Sequence, residues 1–291
     1  EIMPSLVGSE MCIRDRNNTE AMCLFKTTSD AHLEEVFDAG AETNVPDDVK
    51  WAGLDESQRT AVKRLYAWIR SCVPDGATSA DLSTFKSEKF RDEISDYFDK
   101  AFLLTYYLWT DYFLAVDQRA KNMMLRTWDG LIWYITYYDG DTQMGKRNDC
   151  FLVYDYTTDR DTYDAEAGKY AFEGRDSWLW NLVLANLDAD LKTQAQALRG
   201  VLTTSRVLDM LNVEQAGNWC DRAYNKSGEL KYILPATQEM YGKVWPFIYA
   251  LQGSNRAHRE YFVRNRFALL DAKYGTSNFT SDNIDLYLAR T

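Results

Sequence analysis

Histidine is nearly missing from this 291-residue chain, with only His32 and His258 present. Five cysteines, Cys12, Cys23, Cys72, Cys150 and Cys220, form no C-x-x-C pair. These absences argue against a zinc site, which draws on clustered Cys and His ligands. An odd, scattered cysteine set reads as free thiols in a reducing cell, not as a disulfide framework. Long apolar runs are missing as well. The longest uncharged candidate, residues 101–110, falls far short of the ~20 residues that cross a bilayer. Positive charge is in deficit: 33 Lys and Arg face 44 Asp and Glu, for a net charge of −11. That balance argues against nucleic acid or an anionic membrane as the main partner. What is present suits a folded core, since 46% of residues are hydrophobic and 14% aromatic.

The chemistry concentrates in residues 115–145, AVDQRAKNMMLRTWDGLIWYITYYDGDTQMG. Asp117 is followed five positions later by Asn122. Met123 to Trp128 and Leu131 to Tyr138 are rich in β-branched and aromatic residues and read as two strands. Asp129-Gly130 between them predicts a two-residue hairpin turn. The hairpin would carry the chain back toward Asn122 and deliver Asp139 and Asp141 at its end. An aspartate, an asparagine five residues on, a hairpin and a further aspartate is the order of kinase-type phosphotransfer sites. Such chemistry needs a carboxylate near the attacking hydroxyl, a role that fits Asp117. It also needs hard oxygen ligands for Mg²⁺, which Asn122, Asp139 and Asp141 can supply. Asp117, Asn122 and Asp139 are therefore expected to converge in a cleft. An architectural reading competes, with Asp117 capping a helix or anchoring a loop and Asp139-Gly140-Asp141 forming a polar turn.

At VDQRAKN and YYDGDTQMG the chain resembles the spore-coat CotH kinase family, an atypical branch of the protein-kinase-like fold. The resemblance covers roughly residues 90 to 215, including SWLWNLVLANLDADL and LRGVLTTSRVL. It implies an α+β fold: the mostly helical C-terminal lobe of a kinase-like fold, with a β-hairpin at the site and a partial β-containing N-terminal lobe. It implies catalysis by Asp117 and metal ligation by Asn122 and Asp139, with Asp141 as a further ligand. ATP and Mg²⁺ would be the cofactors and a protein hydroxyl the acceptor. Two departures stand out. Val116 replaces the arginine of a His-Arg-Asp loop, and Gly140 precedes a second aspartate. No Gly-rich phosphate loop and no V-A-I-K-like lysine strand precede Asp117. The chain also looks like large virion proteins of gut bacteriophages, through KNMMLRTWDG, WPFIYALQGSNRAHREYF and NRFALLDAKYG. That likeness implies a structural role among other virion proteins, with the same fold as a scaffold.

Residues 1–16, EIMPSLVGSEMCIRDR, look like translated sequencing-adapter read-through and are expected to pack against nothing. They do not form a signal peptide, lacking a basic start before an apolar stretch. On this reading the gene begins upstream, residues 17–50 are a remnant of the N-terminal lobe, and residues 51–291 are the helical lobe. The expected location is the host cytoplasm or the virion. Within the lobe, Asp55 and Gln58 suggest a capping box, followed by Val62, Leu65, Ile69 and Cys72 at helical spacing. Phe90, Ile94, Phe98 and Ala101 predict one long helix running toward Asp117. Residues 145–174 read as a polar loop, and the chain after Ser177 as mostly helical to about Tyr274, with breaks at Gly217, Asn225 to Gly228 and Pro246. Residues 140–146, GDTQMGK, have the glycines and lysine of a phosphate loop, but Arg147 stands where its hydroxyl is required. The acidic run from Asp155 to Glu166 lacks the glycine and spacing of an EF-hand loop.

Overall fold

A computed structural model describes residues 56–120, 122–137, 140, 142–146, 152–211, 222–224, 230–232 and 246–276. The proposed capping box, the two expected strands before residue 50 and the 1–16 segment lie outside the described residues. The architecture is α+β, with helices dominating and strands confined to short antiparallel hairpins.

Helix α1 (Glu56–Cys72) is amphipathic, and Val62, Leu65, Trp68, Ile69 and Cys72 face the core at the expected spacing. Trp68 stacks on Tyr97 at 4.1 Å between ring centroids, and its indole N–H donates to Glu93 Oε2 at 3.0 Å. Among the described residues Cys72 is the free cysteine, and it is buried. Burial pushes its thiol up to about 11, which leaves it without thiolate character at neutral pH.

The long helix expected over Phe90 to Asp117 is broken into pieces. Helix α2 (Glu88–Glu93) is capped by Ser87, whose hydroxyl accepts from Phe90 N at 3.2 Å. A 3-10 turn (Ile94–Asp96) follows, and helix α3 (Lys100–Tyr112) starts afresh. Asp99 caps α3 by accepting from Phe102 N at 3.0 Å. The break frees the Tyr97 carbonyl to accept from Trp133 N at 2.7 Å, so the interruption is where a strand docks. Phe90, Ile94 and Phe98 are all buried, but Ala101 is exposed, because the register resets at the break.

Strands β1 (Met123–Thr127) and β2 (Trp133–Tyr137) form the predicted hairpin, with Met123 opposite Tyr137. Its connection differs from the two-residue turn expected. Pairing closes at Thr127 opposite Trp133, which leaves residues 128–132 as a five-residue loop. Side-chain hydrogen bonding wins over the short turn here. Asp129 Oδ1 accepts from the amides of Leu131 at 2.8 Å and Ile132 at 2.9 Å, and from Thr127 Oγ1 at 3.1 Å. Gly130 does take the positive φ, +74°, that its identity predicts.

The polar segment after Gly145 contains a small hairpin, β3 (Tyr163–Asp164) and β4 (Lys169–Tyr170). Its acidic residues serve as turn anchors. Asp159 Oδ1 accepts from Asp161 N and Thr162 Oγ1, each at 3.0 Å. Asp164 Oδ1 accepts from Glu166 N at 3.0 Å and Ala167 N at 2.9 Å.

Helix α4 (Trp178–Asn186) is apolar on nearly every side, and Leu179, Leu182 and Val183 are fully buried. A helix of that kind belongs at the centre of a core. Asn186 staples its end to a distant segment: its amide donates to Phe85 O at 2.8 Å and its Oδ1 accepts from Ser87 N at 2.8 Å. Helices α5 (Asp188–Val201) and α6 (Thr204–Leu211) follow and pack with α3 and α7. A short antiparallel pair, β5 (Arg222–Tyr224) with β6 (Leu230–Tyr232), lies on either side of the break expected at Asn225 to Gly228. Helix α7 (Pro246–Tyr274) closes the described chain, with Phe262, Val263, Phe267 and Leu270 in the core. Among the described residues no helix is long and apolar enough to cross a membrane.

Candidate functional site

Helix α3 ends in a tight reversal that delivers Asp117. Leu114 takes a left-handed φ of 48°, rare for a side chain that branches beyond Cβ, and Ala115 N returns to Thr110 O at 2.9 Å. The 3-10 turn Val116–Arg119 follows, and Asn122 N donates to Asp117 O at 2.9 Å. The two sequence-predicted residues thus close one turn at the mouth of β1. Both are buried, with Asp117 8% and Asn122 4% exposed.

The loop is clamped from every direction. Tyr106 OH donates to Gln118 O at 2.6 Å, Trp180 Nε1 to Arg119 O at 2.7 Å, and Glu173 N to Val116 O at 2.9 Å. Burial holds the Tyr106 phenol far above its ordinary range, so it remains a donor. Gly174 lies against the same turn. It has φ +74°, and a Cβ there would sit 2.4 Å from Arg119 O and 2.9 Å from Arg119 C. Gly174→Ala is therefore expected to lower stability by ~1–3 kcal/mol through left-handed strain and the clash. Gly168→Ala is the control, since Gly168 has φ +69° with nothing within 4 Å of a Cβ. Thermal midpoints of the two variants check this: equal losses would show that the Arg119 contact is unimportant.

The segment that follows the hairpin is tied to the same place. Tyr137 OH donates to Gln143 Oε1 at 3.1 Å, and Met144 N donates to Phe113 O at 2.7 Å. Gly140, a departure from the kinase-like pattern, has a local reason. A Cβ there would lie 2.3 Å from Tyr137 Oη and 2.5 Å from Cε1 of the same ring. Gly145 (φ +81°) accepts at its carbonyl from Val153 N at 2.9 Å and Tyr154 N at 3.1 Å. Asp139 and Asp141 lie outside the described residues, so their distances to Asn122 are not part of the described geometry. Among the described residues no group of three or more His, Cys, Asp or Glu side chains is arranged to hold a metal ion.

Sequence reasoning passed over the ionic centre behind this loop. Arg119 points inward, donating from Nε to Thr110 Oγ1 at 2.9 Å and from Nη2 to Asp111 Oδ1 at 3.1 Å. Its guanidinium stacks between the Tyr107 ring at 3.9 Å and the Phe172 ring at 4.3 Å. Asp111 also receives Lys273 Nζ at 3.0 Å and Tyr274 OH at 2.7 Å, with Arg266 Nη2 at 3.5 Å. Burial alone would raise the Asp111 carboxyl, but Lys273, Arg119, Arg266 and the Tyr274 hydroxyl hold it well below the usual carboxylate range. A signal existed in the chain: Asp111 is the only charged residue among 101–116. A lone charge in so apolar a run has to be paired when it is buried. A second buried pair lies alongside. Arg199 binds Asp271 bidentately, Nε to Oδ1 at 2.8 Å and Nη2 to Oδ2 at 3.1 Å. Tyr112 OH at 3.0 Å and Thr276 Oγ1 at 2.6 Å also donate to Asp271 Oδ1.

No protein-family model matches this chain, and a search of curated proteins returns no match.

Proposed function

We propose that the chain is a CotH-like protein of kinase-like fold that transfers phosphate from ATP to a protein hydroxyl. In this reading Asp117 orients the hydroxyl and accepts its proton. The Asn122 amide oxygen and the Asp139 carboxylate hold Mg²⁺, with Asp141 as a further ligand. The donor set suits the ion, because Mg²⁺ takes hard oxygen ligands. Bound Mg²⁺ would neutralise charge on the phosphates and hold them in line with the acceptor.

One observation carries the proposal. The Asp117–Asn122 turn is fixed by hydrogen bonds to α3, α4 and the Glu173 backbone, and opens directly into a hairpin that returns to Met123, beside Asn122. Tyr137, opposite Met123, precedes Asp139 by two residues. Rigid backing of this kind is what a positioned carboxylate needs.

A second reading rests on the burial of Asp117 and Asn122, at 8% and 4% exposure. Side chains so enclosed serve equally to anchor a scaffold, as in a bacteriophage virion protein that keeps the fold without catalysis. Calorimetry with Mg²⁺-ATP on the purified protein separates the two. For the enzyme, wild type binds nucleotide only with Mg²⁺ present. Asp139→Asn abolishes that binding without unfolding the chain, and Asp117→Ala keeps binding but loses transfer. Absence of Mg²⁺-dependent binding in wild type sinks the enzyme reading. Mass spectrometry of purified particles should then find this polypeptide.

A further inference from the structure

Behind Arg119, against the side of α4, lies a small cavity whose lining includes Tyr107, Arg119, Arg160, Arg175, Asn181 and Leu184. Its free volume is about 10 Å³, room for the centre of one water-sized sphere and far too little for phosphate. Three arginines contribute to its lining, among aromatic and aliphatic side chains. Arg119 shares Asp111 with Lys273 and Arg266, so one carboxylate there faces three cations. Arg175 pairs with Asp161 and Asp176, both well exposed to solvent. Arg160 Nη2 donates to Arg175 O at 3.0 Å and Asn181 Oδ1 at 2.9 Å, and neither acceptor carries charge.

Two donors are left over. Arg160 Nη1 and Asn181 Nδ2 are buried and find no hydrogen-bond partner among the described residues. Asn181 is fully buried, at 0% exposure, and its Oδ1 is already taken by Arg160, so its free face toward the cavity is the amide N–H₂. Burial, the largest influence, pushes the Arg160 guanidinium below its ordinary value, with Asp161 opposing; it stays charged, in a place that disfavours charge.

We propose that this cavity binds a single monatomic anion, chloride in ordinary media, held by Arg160 Nη1 and Asn181 Nδ2 beside α4. Both orphaned groups are donors only, so a single anion can accept from the two together. The excess of buried cations favours negative charge for the same reason.

The test uses the full chain purified in sodium gluconate and titrated with sodium chloride at constant ionic strength. The thermal midpoint should rise saturably, by on the order of 3 °C at ten times the dissociation constant. Bromide should act alike, and bromide-soaked crystals should show an anomalous peak beside Arg160 and Asn181. Asn181→Asp places a fixed carboxylate where the ion sits, so its midpoint should no longer respond to chloride. A wild-type midpoint indifferent to chloride against gluconate overturns the proposal. So does an anomalous map with no bromide in the cavity. Both readings come from the wild-type protein and hold even if a variant fails to fold.

Discussion

Asp271→Ala is expected to lower the thermal midpoint by ~10 °C. Arg199 and Asp271 are both wholly buried and bonded by two short contacts. Removing the carboxylate leaves a guanidinium uncompensated in the interior. It also strips Tyr112 and Thr276 of their acceptor. Breaking one half of a buried pair costs ~3–5 kcal/mol, more than most surface changes by several-fold. The double replacement Arg199→Met with Asp271→Leu should recover part of the loss, since no charge is then stranded. Recovery should stay incomplete, because Thr204 Oγ1 loses its Arg199 donor and the Tyr112 hydroxyl still lacks its acceptor. Thermal denaturation followed by circular dichroism measures all three. A single-variant midpoint within a degree or two of wild type would show that the pair is not coupled to folding.

Asp111 should govern acid stability. Its carboxyl titrates far below the ordinary range in the folded chain, because Lys273, Arg119, Arg266 and Tyr274 outweigh the effect of burial. A group whose folded value is depressed contributes stability that is complete above its unfolded value, ~3.9 for aspartate. That contribution is lost as pH falls from ~4 toward the folded value. Asp111→Asn removes the charge at all pH values, leaving Arg119, Arg266 and Lys273 facing one another. It should cost ~3–5 kcal/mol at pH 7. Below pH 4 the wild type should converge on the variant, and the gap in urea midpoints between them should shrink. If instead the two decline in parallel from pH 6 to pH 3, the protons are being taken up by other carboxylates.

The hairpin and the turn before it were legible in the sequence because both are local. The hairpin follows from two β-rich runs around Asp129-Gly130, and Met123 to Thr127 does pair with Trp133 to Tyr137. The turn joining Asp117 to Asn122 spans five residues, and its closing hydrogen bond is within the same segment. Residue type alone pointed to both positions, though not to their burial. The five-residue loop was missed because the turn rule weighs only the two residues at the tip. The Asp129 carboxylate instead gathers two amides and the Thr127 hydroxyl, and these bonds outweigh a tighter reversal.

Other features belong to the three-dimensional chain. Apolar spacing runs from Phe90 through Phe98 without interruption, so periodicity predicted one helix. The break at residues 97–99 exists because Trp133, over thirty positions away, takes the Tyr97 carbonyl. Arg119 reads as a solvated charge in VDQRAKN, yet its partner Asp111 lies on the preceding helix and its stacking partner Phe172 comes from beyond the hairpin. Asp271 meets Arg199 across 72 positions. The sequence by itself determined the α+β composition, the amphipathic face of α1, the hairpin and the Asp117–Asn122 spacing, all set by neighbours within a few residues. Tertiary structure alone decided where α2 and α3 part, which charges go inside and which cations share one carboxylate. Those outcomes depend on desolvation and pairing between distant segments, energies that no local window of residues contains.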